Sequence, residues 1–208
     1  MRIISSFLPF PPISWWIQVI AADEIIFDRV EHFEKMSYRN RYYISGANNP
    51  IQLSIPLTNG RNQRLPMEQV TLHNIEKWQV SHWRTLVSVY KRTPYWEYYE
   101  ASLQHIFEIQ FNNLIDFNKA TIVWAVQQLK LKQESSEAAV FIADYGNGFI
   151  DLRRIKPSSE AQKLNKCPQY YQVFQDRIGF QPNLSILDLL FSEGPLAKVW
   201  IEANRALI

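Results

Sequence analysis

Two short apolar segments with a helical pattern between them constrain the fold of this chain most strongly. Residues 3–8 predict a strand, and a proline-rich turn follows at residues 9–12. Residues 13–22 carry tryptophan and aliphatic residues at helical spacing, and residues 24–28 predict a second strand. A strand–helix–strand order predicts a parallel pair of strands joined by a right-handed crossover.

The parallel pair would place the ends of both strands at one edge of the sheet, where open α/β sheets bind their ligands. The proline turn and residues 28–32 are therefore predicted to share that edge. The stretch at residues 28–41 gathers acids, bases, a histidine, hydroxyl groups and an amide between apolar segments. Charged side chains are seldom buried without partners. The stretch is therefore either a polar site or a solvated surface loop.

The remainder of the chain predicts further strands and then helices. The strands are predicted at residues 42–45, 52–57, 69–73, 140–142 and 149–152, and the helices at residues 78–92, 95–110 and 115–131. Residues 153–168 predict a polar, mobile loop, which is either a lid over an anionic substrate or a plain surface connection. Ser185 is predicted to cap a helix that ends at Gly194.

These patterns predict a single α/β domain over residues 1–208. It would contain a mixed sheet opened by a β-α-β unit, with a cluster of helices in the C-terminal half. Residues 1–74 would be mainly sheet with one helix, residues 75–132 helical, and residues 133–208 late strands, the mobile loop and C-terminal helices. An apolar fraction of 47% leaves ample material for a core.

Charge and cysteine content narrow the class of partner. The formal charge of +2 is too near neutral to indicate a nucleic acid or a membrane surface. Cys167 is the single cysteine, so no intrachain disulfide can form, which fits a reducing compartment. Residues 1–22 resemble a secretory signal in outline, but prolines interrupt the apolar run. The chain is therefore predicted to be cytoplasmic, with no membrane span.

Sequence motifs for a cofactor or a metal are missing. The chain has no Gly-x-Gly-x-x-Gly, P-loop or Gly-x-Ser-x-Gly pattern. Its four histidines show no His-x-x-x-His spacing, and one cysteine cannot build a metal cluster. We therefore expect no cofactor and no metal.

Several motifs, taken in order, are similar to those of the WbqC-like protein family. They lie at residues 6–12, 37–41, 53–56, 78–83, 88–90, 94–99, 116–118, 170–174, 179–191 and 194–195. The resemblance covers nearly the whole chain, and its last segments resemble the form found in Bacteroidetes-type bacteria. It implies a role linked to surface-polysaccharide (O-antigen) gene clusters, with a glycine or aminoacyl transferase activity. It supplies no established set of catalytic residues.

The implied chemistry assigns roles to residues of the central stretch. Joining an amino sugar to an activated carboxyl group needs a base for the amine and donors for the developing oxyanion. His32 is the candidate base, because histidine is the side chain whose ordinary pKa lies nearest neutrality. Asp28 or Glu31 could orient its ring, and Asn40 could donate its amide to the oxyanion.

Arg39 and Arg41 are candidates for holding a carboxylate or phosphate through paired hydrogen bonds. The other candidate substrate-binding residues are Ser37, Tyr38, Pro12 and His82. Each candidate also has a structural alternative. The arginines could pair with Glu31 and Glu34, the tyrosine and the helix histidine could belong to the core, and His32 could be an ordinary surface histidine.

The expected partners are a small-molecule or nucleotide-sugar substrate and enzymes of a polysaccharide pathway, with no nucleic acid. The resemblance predicts a transferase of bacterial surface-polysaccharide biosynthesis that moves a glycine, aminoacyl or acyl group onto an amino sugar. The alternative is a non-catalytic protein that binds a glycan precursor or a partner enzyme.

Overall fold

The computed structural model describes residues 1–158 and 169–205. Its strands are β1 (Arg2–Ser5), β2 (Glu24–Asp28), β3 (Arg41–Ile44), β4 (Ile51–Ser54), β5 (Glu134–Ala138) and β6 (Phe149–Asp151). Its α-helices are α1 (Ile13–Val19), α2 (Trp78–Tyr90), α3 (Trp96–Glu108), α4 (Leu114–Gln128), α5 (Gln175–Ile178), α6 (Ile186–Glu193) and α7 (Ala197–Ala203). Single turns of 3-10 helix lie at Tyr38–Asn40, Met67–Gln69 and Gly194–Leu196.

A four-stranded parallel sheet in the order β5-β2-β1-β6 forms the centre of the fold. Ile3 and Ile4 of β1 are both fully buried, as expected for a central strand that is covered on both faces. α1 connects β1 to β2, which confirms the predicted β-α-β unit and its parallel strand pair.

α1 is buried along most of its length, and its tryptophans satisfy their polar atoms inside the core. The Trp15 indole donates to Ser5 Oγ at 2.8 Å, and the Trp16 indole donates to the carbonyl oxygen of Pro11 at 3.2 Å. These bonds link the helix to the end of β1 and to the proline turn, so the turn is part of the packed interior.

β3 and β4 pair as an antiparallel hairpin, which forms a second sheet apart from the first. The predicted fold class is confirmed: the chain is α/β, with several helices in its C-terminal half. The strands anticipated as one mixed sheet are divided between the parallel sheet and the hairpin.

Phe10 lies at the centre of the aromatic core. Its ring contacts those of Tyr42, Phe107, Phe117 and Trp124, with centroids 5.1 to 6.2 Å apart. The residue has a φ of 39°, a left-handed conformation that is uncommon outside glycine. Its N–H donates to the hydroxyl of a threonine on α4 at 3.0 Å. The proline turn is therefore held in place by the helices packed around it.

Two predicted strands are wrong. Residues 69–73 form the end of a 3-10 turn followed by isolated bridges from Leu72 to Leu57 and from Thr71 to Asn113. Residues 140–142 lie in an irregular segment after β5, a strand that the sequence did not indicate. β5 reads Glu-Ser-Ser-Glu-Ala, so apolar periodicity cannot reveal it. Its backbone pairing with β2 defines it instead.

Arg153 lies in the stretch predicted as a polar, mobile loop, but its side chain is only 5% exposed. Residues 159–168, the rest of that predicted loop, lie outside the described residues. Within residues 1–158 and 169–205, no helix is both long and apolar enough to cross a membrane.

Candidate functional site

The site is built where the parallel strands end. Asp28 closes β2 and is fully buried, while Arg153 follows β6 by two residues. Arg153 Nη1 donates to Asp28 Oδ2 at 2.8 Å and to the carbonyl oxygen of Ile142 at 2.8 Å. Its Nη2 donates to Asp151 Oδ2 and to the carbonyl oxygen of Ala143, and its Nε donates to Asp151 Oδ1. All five N–H groups of this guanidinium are thus occupied by the protein.

The contact with Arg153 keeps the Asp151 carboxyl ionised. Partial burial raises the pKa of the Asp151 carboxyl, but hydrogen bonds from Arg153 outweigh burial, and the net shift is downward. The carboxylate therefore remains an anion beside the arginine. Arg153 is consequently a clamp that joins β2, β6 and residues 142–143.

Glu31 and Arg39 form a second buried pair next to the clamp. Arg39 Nε and Nη2 donate to the two carboxylate oxygens at 3.2 and 2.6 Å, and Nη2 also donates to the carbonyl oxygen of Arg153 at 3.0 Å. Burial raises the pKa of Glu31, and the charge of Arg39 opposes that rise. A bidentate arginine–carboxylate contact fixes both side chains in position.

The 3-10 turn at Tyr38–Asn40 directs Arg39 toward Glu31. Ser37 caps this turn: its Oγ accepts from the Arg39 N–H at 3.3 Å and donates to the carbonyl oxygen of Glu34 at 2.6 Å. Asn118 of α4 then ties the turn to the end of β1, since its Nδ2 donates to the carbonyl oxygens of Arg39 and Phe7 at 2.8 and 2.9 Å.

A cavity of about 300 Å³ opens beside these two ion pairs. It is lined by the polar residues Glu31, His32, Glu34, Arg39, Arg64, Arg153 and Arg154 and by Phe33, Phe141 and Ala143. Four arginines face two glutamates there, so the lining carries an excess of positive charge before His32 is counted. The volume is at the lower end of the range for small-molecule sites.

Some of this positive charge is available to a ligand. Arg64 and Arg154 are exposed and have no ion-pair or hydrogen-bond partner within the described part of the chain. Arg39 Nη1 has only a distant partner, Glu34 Oε2 at 3.7 Å. A carboxylate or phosphate entering the cavity could therefore receive hydrogen bonds from three arginines.

His32 lines the same cavity and is exposed. Its backbone forms an isolated bridge with Pro66, but its ring has no hydrogen-bond partner among the described residues. The carboxylates considered as orienting groups are both engaged elsewhere, Asp28 by Arg153 and Glu31 by Arg39. The histidine is thus placed at the cavity with its ring free to reach a ligand.

Asn40 and Arg41 do not line this cavity. Asn40 Nδ2 donates to the carbonyl oxygen of Ile55 at 3.0 Å, which turns its amide toward the hairpin. Arg41 belongs to β3, and its Nη1 donates to Gln52 Oε1 on β4 at 3.3 Å. The structure therefore places His32 and Arg39 at the cavity, buries Asp28 behind Arg153, and separates Asn40 and Arg41 from the cavity.

His82 lies in the core between α2 and the hairpin. Its Nε2 is 3.2 Å from the carbonyl oxygen of Ser54, which can only accept, so Nε2 carries the proton and Nδ1 accepts from the Tyr42 hydroxyl at 3.1 Å. Burial lowers the pKa of His82 to about 4, so the ring is neutral at pH 7. It joins α2 to both strands of the hairpin.

The remaining two candidates are also buried away from the cavity lining. Tyr38 packs its ring edge-on against Tyr43, with centroids 6.0 Å apart. Pro12 immediately precedes α1 and forms a bridge with Ser185. The proline turn is thus covered by the segment that leads into α6, and it does not share the cavity with residues 28–32.

Three arginines of the site were not predicted from the sequence. Arg153 and Arg154 lie in a stretch whose composition indicated a loop, and Arg64 lies in the polar loop after β4. One signal was present: Arg153 lies two residues after a short strand, at the sheet edge where ligands bind in α/β folds. Arg64 carried no such signal.

The fold and the site together define an α/β protein with a cationic pocket at the carboxyl edge of a parallel sheet. Residues 6–147 match the model of the WbqC-like protein family, and the chain belongs to that family. No curated protein and no solved structure gives a significant match. Membership is consistent with a role in polysaccharide-related biosynthesis.

Proposed function

We propose that the cationic cavity binds the anionic part of a nucleotide-linked amino sugar or of its acyl donor, and that the protein is a transferase of bacterial surface-polysaccharide (O-antigen-type) biosynthesis. The observation that carries the proposal is the set of partly free arginines, Arg39, Arg64 and Arg154, around one 300 Å³ cavity. Guanidinium groups match the planar, multidentate geometry of phosphates and carboxylates. A cytoplasmic location would give the protein access to nucleotide-linked sugars.

His32 is the proposed general base for moving a glycine, other aminoacyl or acyl group. The amine nitrogen of the sugar forms a bond to the carbonyl carbon while the imidazole accepts the amine proton. The carbonyl carbon then loses its bond to the leaving group, such as a thiolate, which recovers the proton from the histidine. Arg39 Nη1 is the guanidinium nitrogen without a short hydrogen bond, because its partner Glu34 Oε2 is 3.7 Å away. It would stabilise the oxyanion that exists after the amine attacks and before the leaving group departs.

The ion pairs behind the cavity support this proposal because they hold Arg39 in one orientation. Its Nε and Nη2 are fixed by Glu31 and by the carbonyl oxygen of Arg153, so only Nη1 remains available toward the cavity. A donor held in this way needs little reorganisation when charge develops on a substrate.

Mass spectrometry can test for transfer directly. The protein would be incubated with UDP-glucosamine and a panel of acyl and aminoacyl thioesters, and we expect a product heavier by the acyl group. His32→Gln should abolish its formation, whereas His105→Gln, on the exposed side of α3, should not. A wild-type protein that binds UDP-glucosamine but yields no product with any donor would exclude transfer of these groups.

The alternative is a non-catalytic protein that binds a glycan precursor or a partner enzyme. The observation in its favour is the His32 ring, which has no carboxylate within the described residues to fix its tautomer. It predicts that His32→Gln leaves the affinity for UDP-glucosamine unchanged and that no product forms. The transfer and binding measurements together distinguish the two functions.

A further inference from the structure

Arg41 is a buried arginine that forms no ion pair among the described residues. The other two buried arginines both have carboxylate partners, since Arg39 contacts Glu31 at 2.6 Å and Arg153 contacts Asp28 at 2.8 Å. Arg41 is only 9% exposed, and its one hydrogen-bond partner is a neutral amide. A buried charge without a counter-ion is unfavourable. Arg41 is therefore a cation that the anionic group of a ligand could neutralise.

The contacts of Arg41 leave one nitrogen of its guanidinium open. Nη1 donates to Gln52 Oε1 at 3.3 Å. Nε is enclosed by the protein and has no acceptor, so a ligand cannot reach it. Nη2 also has no acceptor within the described part of the chain, but it is not one of the enclosed atoms. A ligand can therefore receive hydrogen bonds from Arg41 through Nη2.

The outer face of the β3–β4 hairpin is polar around this guanidinium. Arg41 is opposite Ser54, and Tyr43 is opposite Gln52, so these four side chains share one face. The other face of the hairpin belongs to the hydrophobic core. Gln52 and Ser54 are exposed and Tyr43 is half-buried, so the outer face is open to solvent.

Hydrogen bonds across this outer face hold the guanidinium in position. Gln52 Oε1 accepts from the Tyr43 hydroxyl at 2.8 Å as well as from Arg41, which uses both of its lone pairs. Gln52 Nε2 donates to Ser54 Oγ at 2.7 Å. The Ser54 hydroxyl thus accepts one hydrogen bond, and its own proton has no acceptor among the described residues. Two donors without acceptors, Arg41 Nη2 and the Ser54 hydroxyl, consequently lie at paired positions on adjacent strands.

We propose that the outer face of the hairpin binds an oxyanion, the carboxylate or phosphate group of a small ligand, between Arg41 Nη2 and the Ser54 hydroxyl. Each donor would bond one oxygen of the anion, and the anion would neutralise the buried charge. The hairpin site is separate from the cationic cavity, because none of its four side chains lines that cavity. It does not depend on the proposed transferase function.

Nuclear magnetic resonance of the arginine side chains tests the site at Arg41 itself. Acetate, methyl phosphate and the uncharged acetamide would each be titrated into ¹⁵N-labelled protein at constant ionic strength, and the Nε–Hε resonance of Arg41 would be followed. We expect a saturable shift with acetate or methyl phosphate and none with acetamide, which has the same shape as acetate but no negative charge. The anion that saturates the shift at the lower concentration identifies the group that the site prefers.

The Arg64→Gln/Arg154→Gln variant separates this site from the cationic cavity. The saturable shift of Arg41 should persist in it, because those two arginines do not belong to the hairpin. Loss of the shift in this variant would mean that Arg41 only senses an anion in the cationic cavity, and it would overturn the separate site. The result is independent of whether the protein transfers an acyl group.

Ser54→Ala removes one proposed donor and keeps the charge of Arg41. It should weaken binding of the preferred anion about tenfold, since a hydrogen bond to a charged group contributes about that factor. Ser81→Ala, at an exposed serine of α2, is the matched control and should bind as the wild type does. A shift that does not saturate with either anion, an equal shift with acetamide, or equal affinities of the wild type and Ser54→Ala would overturn the proposal.

Discussion

Arg153 Nη1 donates to Asp28 Oδ2 at 2.8 Å, and this contact joins the segments that follow β6 and end β2, the two strands on either side of β1. Both side chains are almost completely buried. The contact therefore fixes the carboxyl edge of the sheet, and with it the backbone carbonyl that receives Arg39. The cationic cavity depends on this arrangement for its shape.

Replacing the clamp residue while keeping its charge tests this dependence. Arg153→Lys leaves three donors for five acceptor atoms, so at least two hydrogen bonds are lost. Hydrogen bonds to charged groups contribute about 1.5–3 kcal/mol each, and water can replace part of what is lost at the exposed Asp151, so we expect a loss of about 2–4 kcal/mol in the free energy of unfolding measured in urea. Arg154→Lys, on the neighbouring exposed arginine, should change it by less than about 0.5 kcal/mol. Equal effects at the two positions would contradict the clamp.

The Glu31–Arg39 pair should behave as a unit. Glu31→Leu or Arg39→Met alone leaves a buried charge without its partner and should cost about 3–5 kcal/mol in the free energy of unfolding. The double variant removes both charges and should recover most of that loss, because apolar replacements of a whole buried pair are often neutral. A double variant that loses the sum of the single losses would show that the two residues do not interact.

Acidification should change the free energy of unfolding through two buried groups, Asp188 and His82, in opposite directions. Asp188 is a fully buried residue of α6, and its carboxylate accepts hydrogen bonds from the Tyr90 and Tyr170 hydroxyls at 2.7 Å. Burial raises the pKa of Asp188 to about 6 from its ordinary 3.8, so its favourable contribution is complete below pH 3.8 and is lost as the pH rises through 6. Burial lowers the pKa of His82 to about 4 from its ordinary 6.5, so its favourable contribution is complete above pH 6.5 and is lost as the pH falls through 4.

Each group should change the free energy of unfolding by about 2 kcal/mol between pH 7 and pH 4.5, and the two changes largely cancel in the wild type. Relative to the wild type, His82→Gln should become more stable on acidification over that range, and Asp188→Asn should become less stable. Urea unfolding at several pH values measures both slopes. Parallel profiles for the two variants would contradict these assignments.

Asn118 should be essential to the junction of α4 with the site. Asn118→Leu keeps a similar volume but removes both donors from the carbonyl oxygens of Phe7 and Arg39, so we expect a loss of about 2–4 kcal/mol in thermal or urea unfolding. Asn112→Leu, at an exposed asparagine just before the same helix, serves as control and should have little effect. Similar losses at both positions would indicate a general intolerance of leucine in this region.

The sequence was most informative where apolar periodicity follows the backbone. The first strand–helix–strand unit and the three long helices have large apolar faces, so their positions could be predicted within a few residues. Ser185 was correctly predicted as a helix cap, with its Oγ accepting from the Leu187 N–H. β5 was not predicted, because an exposed edge strand is defined by its backbone pairing and its polar side chains show no apolar periodicity.

The site was only partly accessible to the same reasoning. Residues 28–41 were recognised as dense in charge. His32 and Arg39 of this stretch line the cavity, and Asp28 is buried next to it and paired with Arg153. Their partners could not be found, because Arg153 is more than a hundred residues away in the chain and its burial follows from the position of β6. His82 looked like a ligand candidate in sequence, but its two nitrogens are used to hold the hairpin.

The cavity at the carboxyl edge of the sheet is proposed to bind an anionic ligand through Arg64 and Arg154. Calorimetric titration with UDP-glucosamine would measure this binding in the wild type, in Arg64→Gln/Arg154→Gln and in Arg61→Gln, a variant of an exposed arginine outside the lining. We predict that the double variant binds at least about tenfold more weakly than the wild type, since hydrogen bonds to charged groups contribute about 1.5–3 kcal/mol each. The Arg61 control should bind as the wild type does. Equal affinities of the wild type and the double variant, or no binding by the wild type, would show that these arginines do not bind an anionic ligand.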